Sequence, residues 1–280
     1  MNKLTALDFL REKANQNQGS YCQRIDIELM IRSVIDIDRA KLYSDSPLLK
    51  QKDVCLLTSM IEKRISGMPL AYILKKIGFW NLDLYINDNV LVPRPETESL
   101  IEIILQKYGN KKISILDAGT GSGAIALSLA SEREDWDIYA LDLSEDAIEI
   151  ARKNMVMHNL KINFLRSNWL QAISENSFDL IVSNPPYIDS NDKRLLDDGL
   201  LYEPQSALVS KDRGYGDLFE IANSSIKCLN MSGELFLEHS PEQAENIKLY
   251  LEELNYIGIT CHQDLNGDER ITAATKNSKQ

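Results

Sequence analysis

Asn184, Pro185, Pro186 and Tyr187 follow a β-like run at residues 178–183 and lie 67 residues beyond Asp117, where a glycine-rich turn begins. The two prolines have fixed φ angles and no amide hydrogen, so this segment cannot relax into helix or sheet pairing. The side-chain oxygen of Asn184 and the carbonyl of Pro185 are thereby left as oriented acceptors. Two such acceptors can grip the paired N–H groups of an amide or of an exocyclic amine, which points to group transfer onto a planar nitrogen. An asparagine also ends strands for purely structural reasons, but two prolines and an aromatic in succession are more than a turn requires.

The partner motif is Asp117, Ala118, Gly119, Thr120, Gly121, Ser122 and Gly123, which follows an apolar run at 113–116 and opens a small-residue helix at 124–130. Glycines let a ligand approach the backbone there, and the start of the helix offers free N–H groups. The spacing is Gly-x-Gly-x-Gly rather than the Gly-x-Gly-x-x-Gly of dinucleotide sites, so nicotinamide and flavin fit less well. Asp142 ends the next strand, 25 residues beyond Asp117. A carboxylate in that place can accept from both hydroxyls of a ribose that carries no phosphate. The structural alternative is that Asp142 and Ser144 cap the following helix, and that Asp117 is a turn residue rather than the partner of a cationic amine. Asn168 and Trp169 follow the third strand, where an indole could stack on a flat base and an amide oxygen could accept from its amine. A tryptophan there could equally be core.

Elements must position these groups. Ile27, Met30, Ile31, Val34 and Ile35, then Val54, Leu57, Ile61 and Ile65, recur at helical spacing, and Gly67 and Pro69 stop the second run. Residues 1–68 therefore read as a small helical bundle, with Asp26 and Asp53 expected as N-caps. Residues 69–92 read as a β-hairpin connector, because Trp80, Leu82, Leu84 and Ile86 alternate at period two. From residue 93 the pattern becomes helical to about Tyr108 and then alternates apolar runs with helical stretches. That is the pattern of a βαβ series with a mostly parallel sheet. Residues 257–261 and 270–275, around Asn266 and Gly267, read as a closing hairpin.

Composition narrows the function classes. With 280 residues, 44% of them hydrophobic and 26% charged, the chain can bury one large core and a smaller one. No run approaches the roughly 20 apolar residues needed to span a bilayer, and Asp8 interrupts the place where a signal peptide needs an apolar stretch, so a cytoplasmic protein without membrane attachment is expected. Cys22, Cys55, Cys228 and Cys261 and the histidines at 158, 239 and 262 have no ligand spacing, so neither a disulfide framework nor a metal is expected. Net charge is −11, divided as +4 over residues 1–76 (13 basic against 9 acidic) and −15 over residues 77–280 (18 against 33). Phosphate backbones bind chiefly through Lys and Arg, so stable nucleic-acid binding is not expected, and a protein partner fits better.

With these residues in hand, the chain resembles the class I S-adenosylmethionine-dependent methyltransferases, and among them the release factor N5-glutamine methyltransferases of the HemK/PrmC type. The likeness runs through the helical N-terminal segment, 67–73, Phe79 and Trp80, 92–98, 115–126, Asp142, 183–188, Glu203 and Pro204, and 267–270. It implies an α/β, Rossmann-like sheet of seven strands ending in an antiparallel hairpin, in a methyltransferase domain of residues 93–280, with the small bundle of residues 1–68 recognising the substrate. S-adenosylmethionine would lie over Gly119, Thr120, Gly121, Ser122 and Gly123, with Asp117, Asp142, Asn168, Trp169 and Asn184 around it. The substrate would be the Gly-Gly-Gln glutamine of peptide chain release factors, methylated on its side-chain nitrogen in the service of translation termination. Catalysis would fall to Asn184, Pro185 and Tyr187, and the substrate would be held by the same three with Pro186 and with Phe79 as a wall of the methyl pocket. Phe79 reads equally well as core. In one departure, the family usually has Asp-Trp where this chain has Asn168-Trp169.

The loop defines the acceptor group and not its owner. A glutamine of a ribosomal protein is one alternative, and an adenine amine in DNA or RNA, which would need base flipping and a basic channel, is a second. A cofactor-binding partner protein without catalysis is the third, although a sensor has no need of an acceptor-gripping loop.

Overall fold

The computed structural model describes residues 4–196, 199–264 and 266–278. They fall into two compact units, residues 1–75 with 196–202 and residues 76–195 with 203–280.

The first unit is helical: α1 (Ala6–Gln16), α2 (Arg24–Ile35), α3 (Arg39–Asp45), α4 (Gln51–Ile65) and α5 (Leu70–Leu74). Ile27, Met30 and Ile31 of α2 meet Leu57 and Ile61 of α4 in one core, which Phe9, Leu10 and Leu42 complete. Ile65 falls on the same stripe but is exposed in the last turn of α4. Asp26 and Asp53 are not the N-caps. They stand three residues further in, and their carboxylates accept from the N–H of Gln23 at 3.0 Å and of Lys50 at 3.2 Å. Helical side chains lean toward the N-terminus, so an acid at this position reaches back to the free N–H of the cap residue. Helix α4 stops where Gly67 takes φ +96° and the Met68 N–H donates back to the Lys63 carbonyl, a turn that a residue with a Cβ resists.

The second unit begins with a hairpin, β1 (Lys76–Phe79) antiparallel to β2 (Leu82–Tyr85), followed by α6 (Thr97–Tyr108). Next come β3 (Ser114–Ala118), α7 (Ala124–Glu132), β4 (Asp137–Asp142), α8 (Glu145–Met157), β5 (Asn163–Arg166) and β6 (Phe178–Ser183). Two short parallel strands, β7 (Ile188–Asp189) and β8 (Val209–Ser210), precede the single distorted turn α9 (Lys211–Gly214) and α10 (Gly216–Cys228). The chain closes with β9 (Leu229–Glu238), α11 (Ala244–Glu253), β10 (Ile257–Gln263) and β11 (Glu269–Thr275).

Seven strands form one sheet in the order β10-β11-β9-β6-β3-β4-β5, parallel except for β11, which runs antiparallel to both β9 and β10. Leu116, Ile181 and Leu235 at its centre are fully buried, as expected of a sheet covered on both faces. The chain fills one side with β4 and β5 and then returns to β6 on the other side of β3. The connections therefore diverge at the carboxyl ends of β3 and β6, where open α/β sheets form their ligand crevice. Pairing of Asp117 with Val182 and of Ser183 with Leu237 brings the ends of β3, β6 and β9 to that edge together.

Among the described residues no helix is long and apolar enough to cross a membrane, and no group of three or more His, Cys, Asp or Glu is arranged to hold a metal ion.

Candidate active site

A cavity of about 320 Å³ opens at this edge, and Gly119, Thr120, Gly121, Ser122, Asp142 and Asn184 are in its wall. Strand β3 delivers Asp117 and Ala118, and the chain then turns through Gly119 at φ +80° and Gly121 at φ +55°. A Cβ on Gly119 would come within 3.0 Å of the Trp169 ring, so glycine is what lets the indole lie against the turn. A Cβ on Gly121 would meet nothing within 4 Å, because that side faces open space.

Asp117 lies beneath the turn and is 0% exposed. Its Oδ2 accepts from the Thr120 hydroxyl at 2.6 Å and from the Ala126 N–H, in the first turn of α7, at 3.2 Å. The carboxylate thus braces the turn, as its structural reading held, but Oδ1 is buried without a partner. Burial pushes the acid up to about 7, against the pull of those two hydrogen bonds. A buried acceptor with no cation beside it suits a positively charged amine.

Asp142 ends β4 and joins two turns: Oδ2 accepts from the Gly121 N–H and Oδ1 from the Ser144 N–H, both at 2.9 Å. Burial raises its pKa while these backbone bonds oppose the shift. Ser144, not Asp142, caps α8, its hydroxyl accepting from the Ala147 N–H. The Leu143 N–H also bonds the Asp142 carboxylate, whose two oxygens have about four acceptor sites in all, so it can still accept from a hydroxyl in the cavity. Buried Asn154 of α8 donates to the carbonyls of Ser122 and Tyr85, and its Oδ1 accepts from the Tyr85 N–H, so one side chain ties the glycine turn to the β1–β2 hairpin.

Asn168 and Trp169 are also in the wall. Trp169 has φ +43°, and its indole N–H donates to Asp217 Oδ1 at 2.9 Å, which fixes the ring. Trp169 also packs against the main core, as its structural reading expects.

Asn184 follows β6, and its Nδ2 donates to the Thr97 hydroxyl at 3.2 Å. Pro186 is in the cavity wall beside it, whereas Pro185 is buried behind. The Tyr187 ring packs against the core and is outside the wall, and its phenol is pushed up to about 12, chiefly by burial and then by the nearby Glu238. Its carbonyl accepts from Gln243 Nε2 at 3.2 Å, which anchors the end of the loop. Gly123 also stands behind the wall, where a Cβ would press on Leu127 at 2.7 Å. Phe79, expected as a wall of the methyl pocket, is 2% exposed in the β1–β2 hairpin and does not line the cavity. It pairs with Leu82 and faces inward, as hairpin alternation dictates.

The sequence alone assigns no role to Glu238 or Asp217, and it marks Thr97 and Glu203 only as part of the stretches that carry the resemblance. Thr97 and Glu238 lie against Asn184, and Asp217 holds Trp169. Buried Glu203 accepts from the Val92 N–H at 3.0 Å and from Arg94 Nη2 at 2.5 Å, joining two stretches of the wall. The one sequence signal for Glu238 was an acid ending an apolar strand at the carboxyl edge of a parallel sheet. Partners drawn from 48 to 111 residues away leave no local trace.

Comparison with known proteins bears on this arrangement. A family model described as "Methyltransferase small domain" matches residues 95–250, and one described as "PrmC N-terminal domain" matches residues 12–74. The chain is 39% identical to a release factor glutamine methyltransferase of Shewanella oneidensis, over 91% of this chain and 90% of that one. It is 36% identical to the protein of the same name in Escherichia coli, over 94% and 96%. Among solved structures it resembles in fold a methyltransferase from Pyrococcus furiosus (TM-score 0.55, 20% identity, 71% of this chain and 90% of that one). The catalytic domain of hMettl16 in complex with a 3′UTR hairpin is a further neighbour in fold (TM-score 0.59, 15% identity, 90% and 91%). A T. Thermophilus 16S rRNA N2 methyltransferase in complex with AdoMet and guanosine is another (TM-score 0.55, 19% identity, 72% and 50%).

Proposed function

The chain belongs to the release factor glutamine methyltransferase family, and from that premise we propose that its cavity methylates the side-chain nitrogen of the Gly-Gly-Gln glutamine in a peptide chain release factor. Family and fold imply S-adenosylmethionine as the donor. The residues present suit it. In the wall, Asp142 can accept from its ribose hydroxyls and Trp169 with Asn168 offers a flat face and an acceptor for its adenine; behind the wall, the unpartnered Oδ1 of Asp117 is the acceptor we assign to its ammonium. When bound, S-adenosylmethionine supplies a methyl already activated by a sulfonium.

The protein's own work is orientation. An amide nitrogen is a poor nucleophile because its lone pair is delocalised into the carbonyl. Asn184 Oδ1 and the Pro185 carbonyl each accept one N–H of the glutamine and turn its nitrogen toward the methyl, and the apolar parts of the wall exclude water. The amide proton leaves after transfer. Pro186 and Tyr187 hold the loop that carries these acceptors, the latter through its packing and the Gln243 bond.

One observation carries the reading: Asn184 stands in the wall of the same cavity as the glycine turn and Asp142, with its nitrogen tied to Thr97 and its oxygen left over. We assign release-factor recognition to the helical residues 1–68, whose surroundings up to residue 76 carry +4 against −15 for the rest, and we place the reaction in the cytoplasm. The test is peptide mass spectrometry of a purified release factor incubated with this protein and S-adenosylmethionine, with ribosomal protein, DNA and RNA as parallel acceptors. A methyl on the Gly-Gly-Gln glutamine is expected. A methyl on a ribosomal-protein glutamine or an adenine instead moves the function to that acceptor, and none on any acceptor overturns catalysis.

A further inference from the structure

Glu238 ends β9 directly behind Thr97 and Asn184, is 2% exposed, and has no part in the transfer described above. Both neighbouring side chains hydrogen-bond its carboxylate, while Oε2 is buried with no partner. Thr97 and Asn184 in turn form part of the cavity wall, with the Asn184 Nδ2 donating to the Thr97 hydroxyl at 3.2 Å.

A side-chain amide has nearly the same shape either way round, so only its partners decide whether oxygen or nitrogen faces a ligand. An ionised carboxylate can only accept. The Thr97 hydroxyl must therefore give its single hydrogen to Glu238, which leaves it lone pairs to receive Asn184 Nδ2. The hydrogen bonds then run one way, from the two hydrogens of Asn184 Nδ2 to Glu238, one directly and one by way of Thr97.

We propose that Glu238 is a positioning residue which, directly and through Thr97, holds Asn184 with Oδ1 rather than Nδ2 toward the acceptor nitrogen. This rests on the reading that Asn184 grips a substrate N–H. With a neutral, hydrogen-donating group at 238, the Thr97 hydroxyl is free to donate to Asn184 Oδ1. The amide then turns over and sets its N–H against the N–H of the substrate, which cannot be held.

The charged groups around Glu238 are Glu96, just before α6, and Arg270 of β11, with the Tyr187 phenol on the loop. Arg270 is engaged by Asp264 at 2.8 Å. Burial pushes Glu238 up to about 7, opposed first by the Thr97 bond and then by Arg270. Once protonated, the carboxyl carries a hydrogen of its own and no longer compels its neighbours to donate, so kcat of the native protein should rise as pH passes through about 7.

The test is steady-state transfer to a release factor at saturating S-adenosylmethionine, across pH 5.5 to 8.5, for the full-length protein and three variants. In Glu238→Gln we expect kcat to fall about 10- to 100-fold above pH 7 and the rise of kcat near pH 7 to disappear, with cofactor affinity by calorimetry unchanged. Thr97→Val should fall similarly, and Thr97→Ser, which keeps the hydroxyl, should restore most of that loss. A folded Glu238→Gln protein with native kcat and a native pH profile overturns the proposal. So does a Thr97→Ser variant as impaired as Thr97→Val, since packing rather than the hydroxyl would then matter. If Glu238→Gln does not fold, the Thr97 pair decides the matter. A native protein that transfers no methyl to glutamine overturns the reading of Asn184 itself, a result distinct from these.

Discussion

The helical unit and the strand ends that carry Asp117 and Glu238 treat buried charge in opposite ways. In the helices, Asp26 meets Arg64 at 3.1 Å and also accepts from a helix N–H, while Glu28 meets Arg39 at 3.1 Å and accepts from the Tyr43 hydroxyl at 2.7 Å. At the strand ends beside the cavity, Asp117 and Glu238 have no ion pair among the described residues, whereas Glu28 Oε1, though also without a hydrogen bond, faces Arg39; burial pushes Asp117 and Glu238 up to about 7. Leaving a carboxylate uncompensated weakens a fold, so such groups are kept where a ligand or a substrate-facing side chain needs them. Paired charge marks what holds the molecule together, and unpaired charge marks what it does.

The contrast can be broken most decisively at the acceptor loop. Asn184→Ala should lower kcat on the order of 100- to 1,000-fold, as the loss of one oriented polar group at a reacting centre commonly does, while calorimetry shows cofactor binding retained. Unchanged turnover would end the orientation mechanism. Next comes Asp117→Asn, which removes the charge offered to the ammonium. Cofactor affinity should fall about 10- to 100-fold, the range of a charge-assisted hydrogen bond.

The same variant tests the fold. In the native state Asp117 keeps its proton to about pH 7, whereas the unfolded chain releases it near the ordinary value of 3.8. The native state thus binds more protons in that window, so this group's contribution to stability is complete below about pH 4 and is lost as pH rises to about 7. Without cofactor, the melting temperature of the native protein should fall relative to that of Asp117→Asn between pH 4 and 7. Parallel curves would mean that Asp117 is not held neutral.

In the helical unit, Asp26→Asn should cost about 1 to 3 kcal/mol in denaturant unfolding, less than for a fully buried pair because Arg64 keeps some solvent contact, and should leave cofactor affinity alone. The smallest effect belongs to Lys76 and Asp83, paired at 2.8 Å across the β1–β2 hairpin with both side chains more than half exposed. Asp83→Ala should change stability by no more than about 0.5 kcal/mol. A larger loss there would show that exposure, rather than pairing, is the wrong measure of which charges matter.

Much was legible before any coordinates. Alternation and periodicity marked the helices, the parallel sheet and the closing hairpin, because a residue's place on an element's buried face is written in its spacing. The glycine turn, Asp142 and the loop beginning at Asn184 could be read because backbone demands are local. A left-handed φ needs Gly119 and Gly121, and two prolines hold a loop open whatever surrounds it. What only the tertiary structure decided is which distant groups complete these motifs. Glu238 stands 54 residues from Asn184 and 141 from Thr97, and strand register and helix placement alone bring the three together. Burial decided the rest: it holds Phe79 inside the hairpin and leaves Asp117 without a cation. Neither outcome is a property of a residue's neighbours in sequence, because solvent access and long-range pairing exist only once the chain has folded back on itself.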